Sequence, residues 1–235
     1  MQRLIMKLLW IIFWLCLGTI THAQDTLFIN RTVADTPYAF YHAIFIDTSN
    51  SSAFRKRIAH YEFDQFDSTT YFEGLACLER PRQQRKLPTT KALPRNWIPL
   101  FQYKGKFYTY HASDGCCIFR FRITDTTTID HTVEGPEPSW IKQIKDQGKG
   151  KFTIERNSKY LGEAVAIHII DQKRGVAILN FSSSRYSSGR QVLMVDANRA
   201  HLFPTIVNYC PTDRMEELEF DVIDFARLIK TINMK

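Results

Sequence analysis

The chain has 235 residues, 44% apolar and 13% aromatic, with 31 basic side chains against 24 acidic ones and a formal charge of +7. That length is enough to bury a real core and holds one large β domain or two small ones. The charge excess is modest, and it concentrates in one segment, 80–95.

Residues 1–23, MQRLIMKLLWIIFWLCLGTITHA, place Arg3 and Lys7 before an apolar stretch that runs from Leu8 to Leu17 and then gives way to small and polar residues. This is the three-part order of a secretory signal peptide, and the apolar part is shorter than the roughly 20 residues a membrane span needs. Cleavage is expected after Ala23. Bulky Phe13, Trp14 and Leu15 precede Cys16, so lipidation is not expected there. The mature chain, 24–235, loses Arg3 and Lys7, which leaves 29 basic residues and a charge of +5. It is expected in the periplasm, at the cell surface or outside the cell, with no membrane span of its own.

Short apolar or aromatic runs separated by turn residues follow. Strands are predicted at 26–30, 38–46, 59–66, 71–78, 97–103, 106–111, 116–124, 151–155, 164–170, 176–181, 191–195 and 205–209. Two hairpins stand out, one turning at Lys104-Gly105 and one through Asp171 to Gly175. A short helix is predicted near 138–147, where prolines precede Trp140, Ile141 and Ile144 and Gly148 offers a stop. A C-terminal helix near 221–232 is predicted from Val222, Phe225, Ile229 and Ile232 at steps of three and four. The fold class expected is mainly β: antiparallel sheets, as a sandwich or barrel, with these two helices. Residues 135–138 are the best candidate boundary, but neither side has a complete set of paired strands, so 24–235 is read as a single β-rich domain.

Four cysteines remain after cleavage: Cys77, Cys116, Cys117 and Cys210. An exported chain with an even number suggests disulfides, and 116–123 read as a strand sends Cys116 and Cys117 to opposite faces. One of the two is therefore expected to pair with Cys77 or Cys210. The alternative, a thiolate activated by His111, rests on proximity in sequence alone. A metal site is not expected, because each of the six mature histidines lies at least 18 residues from the next and the cysteines lack zinc spacing.

The segment 80–95 carries Arg80, Arg82, Arg85, Lys86, Lys91 and Arg95 with three prolines and no acid. It reads as a solvated loop or as a patch for an anionic partner. Without interleaved aromatics, and in an exported chain, nucleic acid is not a partner. Trp97, Tyr103, Tyr108 and Tyr110 crowd one hairpin; they serve as core and cross-strand pairs or as a platform for a flat ligand such as a sugar. Phosphate loops, nucleophile elbows, zinc helices and dinucleotide turns are all missing, so no cofactor and no catalytic residue is assigned. Glu62, Asp64, Asp67 and Glu73 would suffice for a glycan hydrolase only if the fold made two carboxylates face each other. The expected function is a non-catalytic binding or structural component of the envelope or extracellular space, with a glycan, a lipid or an envelope protein as partner. The alternatives are a hydrolase of glycans or envelope polymers and a lipocalin-like carrier of a lipophilic ligand.

Overall fold

Alternation of side chains along the strands decides the architecture. In a computed structural model that describes residues 25–30, 42–80, 93–113, 119–159, 162–185, 188–210 and 217–233, eight strands close an antiparallel barrel. They are β3 (Asn96–Pro99), β6 (Arg120–Ile123), β7 (Thr127–Thr132), β8 (Gly135–Gly148), β9 (Lys151–Asn157), β10 (Ala164–Asp171), β11 (Val176–Phe181) and β12 (Arg190–Asp196). Around the barrel the order is β10-β11-β12-β3-β6-β7-β8-β9. Every second residue points inward: Phe121 and Ile123, Phe152 and Ile154, Val165, Ile167 and Ile169, Ala177 and Leu179, with Trp97 and Met194. Eight strands leave an interior about wide enough for side chains, and these fill it.

A five-stranded sheet lies beside the barrel in the order β1-β2-β13-β5-β4, with β1 (Asp25–Asn30), β2 (His42–Asp47), β4 (Phe101–Tyr103), β5 (Lys106–His111) and β13 (Thr205–Tyr209). Among the described strands only the β13–β5 pairing is parallel. The predicted run 97–103 divides at Leu100, so that β3 belongs to the barrel and β4 to the sheet. The β4–β5 hairpin turns where expected, with Lys104 at φ 48° and Gly105 at φ 74°, the doubly positive geometry that matches strand twist. A second core lies outside the barrel wall, where Ile98, Leu100, Ile178, Leu193 and Val195 meet Ile58, Phe203 and the C-terminal helix.

Three α-helices are found among the described residues: α1 (Ala53–Ile58), α2 (Gln65–Ala76) and α3 (Phe225–Asn233). The C-terminal helix is present, but it starts four residues later than expected. Asp221 spends its N–H on the Gln102 carbonyl at 2.9 Å, and Asp224 caps the helix by accepting from Arg227 N at 2.9 Å. Leu218 and Phe220, ahead of the cap, pack on the sheet, with the Phe220 ring 4.6 Å from that of Phe101.

The short helix expected near 138–147 is a correction: these residues belong to β8. A bulge between Ile141 and Gln143 makes two residues oppose one, so Ile141 and Ile144 both pack against the barrel core at a spacing of three that mimics a helix. Pro136 and Pro138 pair with β7, whereas pairing to β9 begins at Trp140, so their missing N–H groups leave no ladder bond unmade. The strands expected at 59–66 and 71–78 are a second correction. Asp64 caps α2 by accepting from Asp67 N at 2.8 Å, and the helix packs on β8 with Gly74 against Pro138. Phe66 is 67% exposed on this helix.

Candidate functional site

The same alternation that fills the barrel with apolar groups places charge at one of its ends. Along β9, Phe152 and Ile154 point inward, and two residues further on so does Arg156, which is 1% exposed. Asp130 on β7 faces inward beside it with 0% of its side chain exposed. The Arg156 guanidinium donates through Nη1 to Asp130 Oδ2 and to Thr128 Oγ1 (3.1 Å), and through Nε to the Gly162 carbonyl (2.9 Å). Glu137, directly across the β7–β8 ladder from Asp130, adds a second carboxylate on that face.

Arg190 opens β12 at the same end. Its guanidinium carbon sits 3.9 Å from the Phe119 ring centroid and 5.2 Å from that of Phe181, and it makes no hydrogen bond or ion pair among the described residues. The Phe181 and Phe121 rings also lie 5.8 and 6.0 Å from the Arg156 guanidinium. Two guanidiniums and two carboxylates, with phenyl rings beside the guanidiniums, thus occupy the barrel mouth, the end at which the β7–β8 turn lies, β9 ends and β12 begins. Two fully buried oxygens there, Asp130 Oδ1 and Ser139 Oγ, have no hydrogen-bond partner. Below them the interior is apolar.

Burial pushes the Asp130 carboxyl up from its ordinary value, against the pull of the Arg156 and Arg190 charges. Glu137 is also raised, first by burial and then by the facing Asp130. Arg190 is lowered by loss of solvent, with Asp130 and Glu137 opposing the shift. Glu137 also lines a cleft of about 240 Å³ on the outer wall, with Thr70, Gly74, Cys77, Ser158 and Lys159.

A second polar cluster lies on the five-stranded sheet. His42 Nε2 is 2.6 Å from Asn208 Oδ1, and Asn208 Nδ2 donates to the Tyr110 hydroxyl (3.2 Å) and to Glu217 Oε2 (3.3 Å). Tyr110 itself donates to Glu217, and Leu218 N donates back to the hydroxyl at 3.4 Å. Burial and the Glu217 carboxylate push the phenol up. These bonds tie the segment that follows residue 216 onto the sheet. Beyond the sheet's other face, His111 is buried with both ring nitrogens unpartnered, its ring 5.1 Å from that of Phe54. Burial, then the Arg57 charge, lowers its pKa.

The residues singled out from the sequence do not assemble into one site. Trp97 is wholly buried in the barrel core and donates to the Pro94 carbonyl at 2.9 Å. Tyr108 and Tyr110 are buried in the sheet core, and Tyr103 is half-buried beside them. Three of the four aromatics are therefore packed on all sides, as cross-strand and core groups. Of the basic segment, Arg80 stacks 5.6 Å from the Trp140 ring and Arg95 pairs with Asp125 at 2.7 Å, while Arg82, Arg85, Lys86 and Lys91 lie outside the described residues. Cys77 is exposed at the C-cap of α2 and Cys210 is buried after β13, and among the described residues there is no disulfide. Cys116 and Cys117 lie outside the described residues, as does the signal segment 1–23. No described helix is long and apolar enough to cross a membrane.

Asp130, Glu137, Arg156 and Arg190 were not singled out from the sequence. A signal for Arg156 is in KFTIERN, where a charge follows Phe152 and Ile154 in the place that alternation reserves for the core face; TTIDHT gives none for Asp130, because Ile129 points to the opposite face. Comparison with known protein families, with curated proteins and with solved structures finds no match to this chain.

Proposed function

We propose that the protein is an exported, non-catalytic binding component of the cell envelope or extracellular space, and that the barrel mouth is its recognition site. One observation carries this reading: a solvent-free Arg156–Asp130 pair, flanked by Glu137 and Arg190, at the loop end of a barrel otherwise packed with apolar side chains. A buried ion pair stabilises a fold little better than apolar groups of the same size, so its presence calls for another reason. The packed interior offers no room for a lipophilic cargo, which speaks against a carrier. Export rests on the signal-peptide pattern of residues 1–23.

Thermal melts of the mature protein against a panel of sugars, sugar acids, amino acids and phosphorylated small molecules test the reading. A ligand that raises Tm in the wild type but not in Arg190→Ala supports it. A ligand bound equally by Arg190→Ala, Glu137→Gln and the wild type would place recognition elsewhere. Export is tested by intact mass: an extracytoplasmic species beginning at Gln24 is expected, and one retaining residues 1–23 refutes cleavage.

A hydrolase is the second reading. It is favoured by Asp130 and Glu137 standing opposite each other with both carboxyls raised. Turnover of envelope glycans that is lost in Glu137→Gln would select it.

A further inference from the structure

We infer that the barrel mouth takes a small ligand carrying a carboxylate together with a neighbouring hydroxyl or ammonium group; this rests on the mouth being the recognition site. The carboxylate is assigned to Arg190. Arg190 is an exposed residue whose guanidinium stands on the Phe119 and Phe181 rings, and its N–H fork is unused among the described residues. A guanidinium packed against aromatic rings with its N–H fork free matches a carboxylate with two parallel hydrogen bonds.

The donor group is assigned to the depth of the mouth. Asp130 is 0% exposed, and its Oδ2 is taken by Arg156, yet its Oδ1 accepts from nothing. Ser139, also 0% exposed, leaves its hydroxyl unpartnered on the strand that faces β7. An ionised carboxylate only accepts, so the missing partner of Oδ1 has to bring a proton. Leaving such a buried acceptor unmatched is costly, and a ligand donor in that place recovers the loss. Glu137 lies across from Asp130, which adds negative potential at the depth while Arg190 sets positive potential at the rim. A ligand with separated anionic and donor ends is oriented by that gradient; a purely anionic or purely cationic one is opposed at one end.

Two sources share this chemistry: α-amino acids and sugar acids. Calorimetric titration of the mature protein with L-alanine and with D-galacturonate separates them, and L-alaninamide and D-galactose serve as the matched probes without a carboxylate. Saturable binding of either carboxylate, with its carboxylate-free match at least about tenfold weaker, is expected. Arg190→Ala should lose about tenfold to a hundredfold in affinity, and Arg190→Lys should fall between, because it keeps the charge and loses the fork. Arg190 is on the surface, so both variants are expected to melt as the wild type does. Binding of alanine alone or of galacturonate alone supports the inference and names the source. No binding of either at millimolar concentration overturns it, as does equal binding of the probes without a carboxylate or an unchanged affinity in Arg190→Ala. A probe without a carboxylate that binds and is lost in Glu137→Gln overturns the ligand class while leaving the mouth as the recognition site.

Discussion

Arg156 and Asp130 form an ion pair inside the barrel in which the two side chains are 1% and 0% exposed. Arg156 is the one hydrogen-bond donor to the Asp130 carboxylate among the described residues, and Asp130 is the one carboxylate that Arg156 bonds there. Replacing Arg156 alone by Met leaves a buried carboxylate beside apolar rings, and a loss of about 3–5 kcal/mol in urea unfolding is expected. The double variant Arg156→Met, Asp130→Leu removes both charges and should return to within about 1 kcal/mol of the wild type or exceed it. A double variant as unstable as the single one would show that Arg156 works through its bonds to Thr128 and Gly162 instead.

Gly74 lets α2 approach β8. A Cβ there would lie 2.8 Å from Pro138 Cδ, too close for a ring held in a strand to yield. Gly74→Ala is therefore expected to cost about 1 kcal/mol or more, although alanine is intrinsically the better helix former by about 1 kcal/mol. Pro138→Ala opens the contact, so Gly74→Ala should cost less in that background. Equal costs in the two backgrounds would exclude the clash.

His131 gives an acid limb to stability. It is 4% exposed, packed between the rings of Tyr61 (5.5 Å) and Phe63 (5.7 Å), and its Nε2 has no partner. Burial, then the charges of Arg120 and Arg122, pushes its pKa down from 6.5 to about 3. With the folded value below the unfolded one, the unfolded chain binds the proton first as pH falls. His131 costs nothing above pH 6.5, and its penalty grows from there down to about pH 3, reaching at most about 5 kcal/mol. Chemical unfolding of the wild type and of His131→Phe across that window should give stabilities that converge above neutrality and diverge in acid. A difference independent of pH would assign the effect to packing.

Thiol access should divide the cysteines. Cys77 is exposed at the end of α2, whereas Cys210 is 7% exposed. In the native protein iodoacetamide should label Cys77 within minutes and leave Cys210 unmodified until denaturant is added. Peptide mapping without reductant on the same sample reads whether Cys116 or Cys117 forms the disulfide the sequence suggests. Protection of Cys77 in the native protein would indicate that its thiol is engaged.

Much of the β architecture was legible in the chain itself, because strand alternation is a local rule. A run such as AVAIHI buries every second side chain where it pairs, VAILNF is apolar enough to be buried on both faces, and Lys104-Gly105 turns a hairpin through its own backbone preferences. The C-terminal helix followed from its spacing for the same reason. What local rules could not supply is the partner of each strand. The strand β8 concealed itself behind a bulge whose spacing imitates a helix, and a bulge exists only relative to the strand it pairs with. The 59–78 region reads as alternating strands until α2 is laid on β8, where the Asp64 cap and the Gly74–Pro138 contact favour a helix. The barrel mouth was hidden for a related reason. Asp130, Glu137, Arg156 and Arg190 stand on four separate strands, and all but Arg156 are ordinary polar residues in their own segments. Their meeting depends on barrel closure, which brings β9 and β12 to the same end as the β7–β8 turn and removes the solvent that would otherwise separate their charges.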